Sequence, residues 1–249
     1  MARAFRIGIV GDGNAGNYFA NQFVKEGLEV SHFSRNPKSA RLAVEEYSEE
    51  LNLDFLFLAI PDGEISGFSK TISSGRTVII HLSGTTELSA IDEKHKNKAV
   101  FWPLMSLSPH SISELKDIPF CLEANTENAR NLLQNFCDQL NLQFYWRGYE
   151  QRLKMHLAAV ISQNFSNHLF HISHNILKEE DLDMELFKPI LLETINRLGK
   201  EDPKIYQTGP AKRKDHKTIE RHLDLLKGSE KEIYSIISQS IQEENEGKL

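Results

Sequence analysis

Three glycines near the start of the chain have the spacing of a phosphate-binding loop. Gly11, Gly13 and Gly16 lie in GDGNAG, which follows the apolar run FRIGIV and precedes the amphipathic stretch NYFANQFVKEG. Glycines at G-x-G-x-x-G spacing between a strand and a helix permit a tight turn, close approach of a pyrophosphate, and close packing of helix on strand. The helix N-terminus also favours the phosphate charge. We therefore predict that this loop binds a dinucleotide.

The end of the second apolar run indicates which dinucleotide is bound. An NAD-binding domain usually has an Asp or Glu about 20 residues after the glycines, where it binds the ribose 2′-hydroxyl. Here the run ends HFSRNP, without a carboxylate. Ser34 and Arg35 instead supply a hydroxyl and a guanidinium, which suit a 2′-phosphate. We therefore predict NADP rather than NAD; an Arg35 that merely covers an exposed loop is the alternative.

Two later apolar runs end in residues that can reach a bound nicotinamide, because ligands of doubly wound sheets bind at the carboxyl ends of the strands. LAIPDGEI places Pro61 and Asp62 there, and we count both as candidate cofactor-binding residues, although Asp62 is also expected to cap the next helix. IIHLSGTTEL places Ser83 there. Its hydroxyl could bind the substrate or the cofactor amide, or cap a helix.

The stretch HLAAVISQNFSNHLFHISHN, residues 156 to 175, contains four histidines and three asparagines. At about 100° per residue these polar side chains cover about a third of a helix, and apolar and small residues cover the rest. We predict a helix buried on two faces, with a polar seam as the third. His156 and Asn164 are the candidates for a substrate cleft, His156 as proton donor or acceptor and Asn164 with Ser83 to orient the reacting atom.

A metal site is the alternative interpretation of the histidines. At a rise of 1.5 Å per residue, His156 and His174 are roughly 27 Å apart along a helix, so they cannot bind one ion. No H-E-x-x-H pattern accompanies His168, His171 and His174. We therefore predict no metal.

The segment YQTGPAKRKDH provides groups for an anionic substrate. Gln207 and Thr208 lie on a Gly-Pro loop, and Arg213 follows in a basic run. These residues could bind a carboxylate, whereas a solvated basic turn is the alternative. Glu193 lies in the apolar pattern PILLETINRL and needs a partner if it is buried, for which Arg213 is a candidate.

Two kinds of pattern position these residues. Apolar, β-branched runs alternate with helical patterns over the first half, at 5–10, 28–33, 55–60, 77–82, 99–102 and 118–122. This alternation predicts an α/β fold with a doubly wound, mostly parallel sheet. Beyond residue 148 only helical patterns remain, near 150–178, 184–198, 214–227 and 229–244. We predict a Rossmann-like dinucleotide-binding domain over 1–148 and an all-α substrate and dimerisation domain over 149–249.

Composition excludes several classes of partner. The chain has 249 residues and a formal net charge of -6 with interspersed signs, so we expect no nucleic acid. No stretch approaches the ~20 apolar residues of a spanning helix, so we expect no membrane. Cys121 and Cys137 have neither disulfide-framework nor zinc-site spacing. We expect reduced thiols and a cytoplasmic location.

Several of these motifs together resemble a bacterial family that joins a Rossmann-like NADP-binding domain to an α-helical domain of unknown function. The resemblance is carried by GDGNAG, SR at 34 and 35, LAIPD, HLSGT, RLKMHLAAVISQNFSNHL, LLET and QTGPAKRKD. The domain arrangement is also similar to pyrroline carboxylate reductase, ketopantoate reductase and the phosphogluconate-dehydrogenase type of hydroxyacid dehydrogenase.

The resemblance adds Asn14 and Ala15 to the pyrophosphate loop. It also implies a homodimer through the C-terminal helices and, for Ser83, the position of the substrate-binding serine of the hydroxyacid dehydrogenases. Their catalytic Lys and Asn do not transfer, because no Asn follows Lys154 at four residues; His156 stands in their place. WPLMSLS also departs from the family pattern, which has Gln-Thr-Phe after the aromatic-Pro-Leu.

The sequence thus favours an NADP-dependent oxidoreductase that transfers a hydride between the nicotinamide and a small, anionic carbonyl or imine compound. A dimeric protein that binds NADP without catalysis is the second hypothesis, because a Rossmann domain indicates a ligand and not a reaction. A divalent metal that assists the chemistry is a third.

Overall fold

The computed structural model describes residues 5–34, 42–43, 51–73, 75–108 and 113–247. Arg35, a candidate residue for the 2′-phosphate, lies outside these described residues. The chain divides into two compact units, Met1–Ser162 and Gln163–Leu249.

The first unit is built on a mixed sheet of eight strands in the order β3-β2-β1-β4-β5-β6-β7-β8. Neighbouring strands are parallel except β6 and β7, which are antiparallel. The predicted α/β class and mostly parallel sheet are confirmed. The strands are β1 (Arg6–Val10), β2 (Glu29–Ser34), β3 (Leu42–Ala43), β4 (Phe55–Leu58), β5 (Val78–His81), β6 (Lys98–Pro103), β7 (Pro119–Ala124) and β8 (Gln143–Trp146).

The two edge strands, β3 and β8, were not among the six apolar runs predicted as strands. β3 has only two residues, and the side chains of β8 alternate between exposed and half-buried. By contrast, β4 and β5 are buried at every position, which is typical of central parallel strands and gives a continuous apolar signal. Short edge strands lack that signal.

Helices cover both faces of the sheet. On one face, α1 (Asn14–Lys25) and α3 (Glu127–Gln139) pack Phe19, Phe23 and Phe136 against an aromatic core. On the other, α2 (Asp62–Thr71) packs through Ile65. The first unit also contains α4 (Tyr149–Ala159) and short 3-10 helices at Leu88–Ala90 and Leu115–Asp117.

The helix predicted over 150–178 forms as one run of α4, a π-helical segment (Val160–Phe165) and α5 (Ser166–Glu179). The division between the two units falls inside the π-helical segment. A constant 100° per residue does not hold through such a segment, so the projection of the polar seam fails there. The second unit continues with α6 (Lys188–Arg197), α7 (His216–Leu225) and α8 (Gly228–Asn245), and with 3-10 helices at Met184–Phe187 and Pro203–Tyr206.

The prediction that the histidine-rich helix is buried on two faces is wrong for the single chain. No residue of α5 is buried. The large apolar side chains of Phe165, Leu169 and Ile176 are exposed. Among the described helices, none is both long and apolar enough to span a membrane.

Candidate functional site

The glycine-rich loop between β1 and α1 has a geometry that other residues would disturb. Gly11 has φ +113°, a conformation that residues with a Cβ rarely adopt, and an added Cβ would collide with the carbonyl of Ala59. At Gly16 a Cβ would collide with the carbonyl of Gly11, so α1 can pack closely on the loop. At Gly13 an added Cβ would meet no atom within 4 Å, so the backbone there is accessible to a ligand.

Two cavities adjoin this loop. The larger, about 640 Å³, is lined by Gly11, Gly13, Ser34 and Pro61 among others. The smaller, about 330 Å³, extends to the ends of β4 and β5; its lining includes Gly13, Asn14, Ala15, Pro61, Asp62 and Ser83. The loop and the predicted strand-end residues therefore line shared cavities. An open cradle beside an accessible helix N-terminus fits a dinucleotide pyrophosphate.

The end of β2 meets the glycine-rich loop through side chains. Ser34 is buried, and its Oγ donates a hydrogen bond of 2.9 Å to Oδ2 of Asp12. His32 on the same strand places its Nε2 2.7 Å from the carbonyl oxygen of Gly11. Sequence reasoning gave no role to Asp12, which occupies the first variable position of the glycine motif.

Asp62 does not cap α2, so that expectation is wrong. Pro61 occupies the N-cap position, and the helix start has no side-chain cap. The Asp62 carboxylate turns instead to the loop after β5. Its Oδ2 accepts hydrogen bonds from Ser83 Oγ at 2.5 Å, Thr86 Oγ1 at 2.9 Å and Thr85 Oγ1 at 3.1 Å. Asp62 thereby links the ends of β4 and β5.

The hydroxyl of Ser83 is fully engaged in this loop. Besides donating to Asp62, its Oγ accepts hydrogen bonds from the backbone N–H groups of Thr85 at 3.1 Å and Thr86 at 3.0 Å. A serine hydroxyl has one hydrogen and two lone pairs. Ser83 therefore fixes the turn, and it must give up one of these bonds before it can bind a substrate.

Two buried side chains, His81 and Arg152, form hydrogen bonds to the backbone of the turn after β5. His81 Nδ1 accepts from the backbone N–H of Ser83 at 3.2 Å. Burial, followed by the charge of Arg152, lowers the pKa of His81 to about 4, so the imidazole is neutral at physiological pH.

Arg152 is a buried residue of this site to which sequence reasoning gave no role. Its guanidinium is completely buried, forms an ion pair with Glu123, and donates to the carbonyls of Thr86 at 2.9 Å and Arg147 at 3.2 Å. Buried arginines are rare unless paired. The signal was an arginine in the motif RLKMH, but the sequence does not show that it is buried.

His156 and the turn after β5 both lie next to the side chain of Trp102. The two ring centroids are 6.0 Å apart, and His156 is half-buried. Gly84 lies close to the same indole: a Cβ added at Gly84 would be 2.5 Å from Cε2 of Trp102. The structure therefore brings His156 and the Ser83–Gly84 turn into the surroundings of one buried aromatic residue.

The remaining candidates lie in the second unit. Asn164 is exposed within the π-helical segment. Gln207 and Thr208 line a cavity of about 310 Å³ together with Thr194 and Arg197. Arg213 is exposed and is absent from the described lining of this cavity.

Glu193 does not pair with Arg213 as expected. It is exposed and forms an ion pair with Arg197 one helical turn away, which α6 permits because residues four apart share a face. In α5 the ring centroids of His168 and His171 are 6.4 Å apart, and Nδ2 of Asn175 lies 3.2 Å from Nε2 of His171. Within the described ranges no group of three His, Cys, Asp or Glu side chains could hold a metal ion.

Two family models match parts of the chain. Residues 6–84 match the family described as "NADP oxidoreductase coenzyme F420-dependent". Residues 118–241 match the "Domain of unknown function (DUF2520)". No curated protein matches the chain.

Solved structures share the fold over almost the whole chain. A "putative NADP oxidoreductase" from Bacteroides fragilis, BF3122, is 25% identical over 96% of this chain and 98% of its own, with a TM-score of 0.83. Protein TM1727 from Thermotoga maritima is 21% identical over 97% and 99%, with a TM-score of 0.68. A reductive aminase from Aspergillus terreus, in complex with NADPH and ethyl levulinate, is 14% identical over 99% and 95%, with a TM-score of 0.67. The chain therefore joins an N-terminal dinucleotide-binding domain of the NADP oxidoreductase type to a C-terminal DUF2520 domain, as the sequence resemblance predicted.

Proposed function

We propose that the protein is an NADP-dependent oxidoreductase that acts on a small, anionic carbonyl or imine compound. The observation that carries the proposal is the cavity that joins the glycine-rich loop to the ends of β4 and β5. The pyrophosphate would lie on Gly11, Gly13, Asn14, Ala15 and Gly16. When bound, NADPH supplies a hydride, and ligands of doubly wound sheets lie at these strand ends.

His156 is the proposed proton donor to the reduced oxygen or nitrogen. The nitrogen atoms of an imidazole ring can hold and release a proton. The buried indole of Trp102 lies on one side of His156, with 6.0 Å between the ring centroids. Asn164 is proposed to orient the reacting atom, and Gln207, Thr208 and Arg213 to bind the anionic group.

Ser83 has a positioning role in this proposal rather than direct contact with the substrate. Its three hydrogen bonds to Asp62, Thr85 and Thr86 shape the cavity wall beside the nicotinamide position. Asp62 and Pro61 line the same cavity and are proposed to contact the cofactor.

The test measures NADPH binding and turnover separately. NADPH and NADH are titrated by nicotinamide fluorescence, and oxidation of NADPH is screened with 2-oxo acids and cyclic imine acids. His156→Asn should abolish turnover and leave the Kd for NADPH unchanged. Lys154→Gln, at an exposed position on the same helix, is the matched control and should retain both.

Each outcome separates the hypotheses. Turnover that persists in His156→Asn would remove His156 from the mechanism. Tight binding of NADPH with no oxidation by any tested compound would favour the protein that binds NADP without catalysis. Arg35→Ala should weaken NADPH selectively if that residue binds the 2′-phosphate.

We also propose a homodimer through the second unit. Many large apolar side chains are exposed there in the single chain: Leu182, Leu186, Phe187, Ile190, Leu192, Ile195, Leu198, Ile205, Leu225, Ile236 and Ile237. Large exposed apolar surfaces are rare on monomeric proteins and frequent at interfaces. Cys121 and Cys137 are buried, unpaired thiols, which supports the predicted cytoplasmic location.

A further inference from the structure

The backbone of Gly11 is held on β2 through both its N–H and its carbonyl group. The N–H donates a hydrogen bond of 3.0 Å to the carbonyl oxygen of Phe33. The carbonyl oxygen of Gly11 lies 2.7 Å from Nε2 of His32, which is half-buried. A carbonyl oxygen can only accept a hydrogen bond, so Nε2 carries a hydrogen and donates it. The His32 side chain thus continues the pairing of β1 with β2 beyond the end of β1 and into the glycine-rich loop.

The carbonyl group of Gly11 occupies a tight position in the fold. Gly11 has φ +113° and no Cβ, so its own side chain does not restrict the direction of this carbonyl. A Cβ added at Gly16 would collide with the carbonyl oxygen, which therefore lies where α1 approaches the loop closely. The hydrogen bond from His32 holds the group at which the loop and the helix meet.

The direction of this carbonyl sets the direction of the next N–H group. The peptide bond between Gly11 and Asp12 is trans and planar, so the C=O of Gly11 and the N–H of Asp12 point in opposite directions. Asp12 and Gly13 line the cavity of about 640 Å³ beside the loop. Backbone N–H groups at the start of a helix are donors to phosphate oxygens. By holding the Gly11 carbonyl, His32 determines how one of these N–H groups is oriented.

We infer that His32 is a positioning residue for the pyrophosphate of the bound dinucleotide. Its Nε2–H group holds the Gly11 carbonyl and orients the loop backbone before the cofactor binds. The inference rests on the proposed function and deepens it, because it names a side chain outside the glycine motif on which cofactor affinity depends. NADPH and NADH share the pyrophosphate, so loss of this hydrogen bond weakens both to the same extent.

The experiment compares His32→Gln with His32→Asn. The amide nitrogen of glutamine can take the place of Nε2, whereas the amide of asparagine is one methylene shorter and falls short of the Gly11 carbonyl. Both amides are neutral, so the two variants differ in reach and not in charge. Kd values for NADPH and NADH are measured by nicotinamide fluorescence. His32→Asn should raise both about tenfold, whereas His32→Gln should keep both within about threefold of wild type.

His95 provides the matched control, a histidine with the same kind of hydrogen bond at another place. Its Nε2 also lies 2.7 Å from a backbone carbonyl, that of Ser69 in α2. Neither residue belongs to the described lining of the two cavities beside the glycine-rich loop. His95→Asn should lower the free energy of unfolding in urea and keep both Kd values within about threefold of wild type.

A fragment of the cofactor separates an effect on the pyrophosphate from a general disturbance of β2. Adenosine 2′-monophosphate lacks the pyrophosphate, so its inhibition constant in competition with NADPH should change less than about threefold in His32→Asn. A loss of this fragment in parallel with NADPH would overturn the inference. Urea denaturation shows whether each variant folds, and His32→Leu, which cannot donate, replaces His32→Asn if the latter is unfolded.

The remaining outcomes also decide the matter. A Kd for NADPH within about threefold of wild type in His32→Asn would overturn the inference and leave the proposed function intact. An equal loss of affinity in His32→Asn and His32→Gln would overturn it as well, because a donor at the Nε2 position would then not restore binding. If wild type bound neither nucleotide, both the inference and the proposed function would be overturned.

Discussion

The imidazole of His156 lies beside the indole of Trp102, with 6.0 Å between the ring centroids and 43° between the ring planes. The same indole contacts Gly84, which follows Ser83 in the turn after β5. Trp102 thus connects the candidate proton donor with the wall of the cofactor cavity. A substitution at Gly84 should therefore shift Trp102 and, with it, the position of His156, while every candidate catalytic side chain stays in the sequence.

Gly84→Ala should reduce turnover and destabilise the protein. The new Cβ would lie 2.5 Å from Cε2 of the buried indole, so Trp102 must shift. Overpacking of this kind typically costs about 1–3 kcal/mol. Urea denaturation and NADPH oxidation check the two effects. Gly63→Ala in α2, where nothing lies within 4 Å, is the control and should not destabilise.

Gly13→Val should block cofactor binding while preserving the fold. Nothing lies within 4 Å of the new Cβ, but the side chain would occupy the approach to the loop backbone. We expect the Kd for NADPH to rise about 100-fold, with Tm little changed. Gly148→Val is a matched control, because Gly148 is also an extended helix N-cap with open space around it. Unchanged affinity in Gly13→Val would place the pyrophosphate elsewhere.

Arg152→Ala should be strongly destabilising. Its removal leaves Glu123 without its buried partner and the Thr86 carbonyl without a donor, and breaking such a buried pair costs about 3–5 kcal/mol. The free energy of unfolding in urea gives the direct measurement. Lys188→Ala breaks an exposed pair with Glu185 and should cost less than about 1 kcal/mol. Equal effects of the two variants would contradict a supporting role for Arg152.

His81 should make stability depend on pH below neutrality. Its pKa is lowered from 6.5 to about 4 in the folded protein, chiefly by burial and next by Arg152. The unfolded chain therefore binds one more proton between these values, and the free energy of unfolding falls as the pH drops through this window, by up to about 3 kcal/mol. Urea denaturation from pH 7.5 to 4 measures the slope. His81→Asn keeps an acceptor for the Ser83 N–H but does not titrate, so its slope should be shallower.

Ile190→Asp should convert a dimer to monomers. Ile190 is exposed on α6 in the single chain, among the apolar residues proposed as the interface. A buried, unpaired carboxylate is costly, so the interface would be weakened. Sedimentation velocity distinguishes the species. Val24→Asp, at an exposed apolar position of α1, should leave the assembly unchanged; a wild-type monomer would refute the dimer.

Much of the fold could be predicted because buried elements leave apolar runs or periodic apolar patterns in the sequence. The central strands β4 and β5 are continuous apolar runs, and Gly11 and Gly16 occur where the backbone leaves no room for a Cβ. The edge strands β3 and β8 could not be predicted, because short, partly exposed strands lack such patterns. The π-helical segment also leaves no signal in a pattern that assumes a constant turn per residue.

The sequence by itself determined the α/β class, the dinucleotide loop and the helical second half, since each depends on local spacing and periodicity. Only the tertiary structure decided which polar groups meet. It directed Asp62 to Ser83, Thr85 and Thr86 instead of a helix cap, joined Asp12 to Ser34, and buried Arg152 against Glu123. The physical reason is that these partners are separated by 21 to 29 residues in the chain, so their hydrogen bonds depend on how strand ends converge at one edge of the sheet.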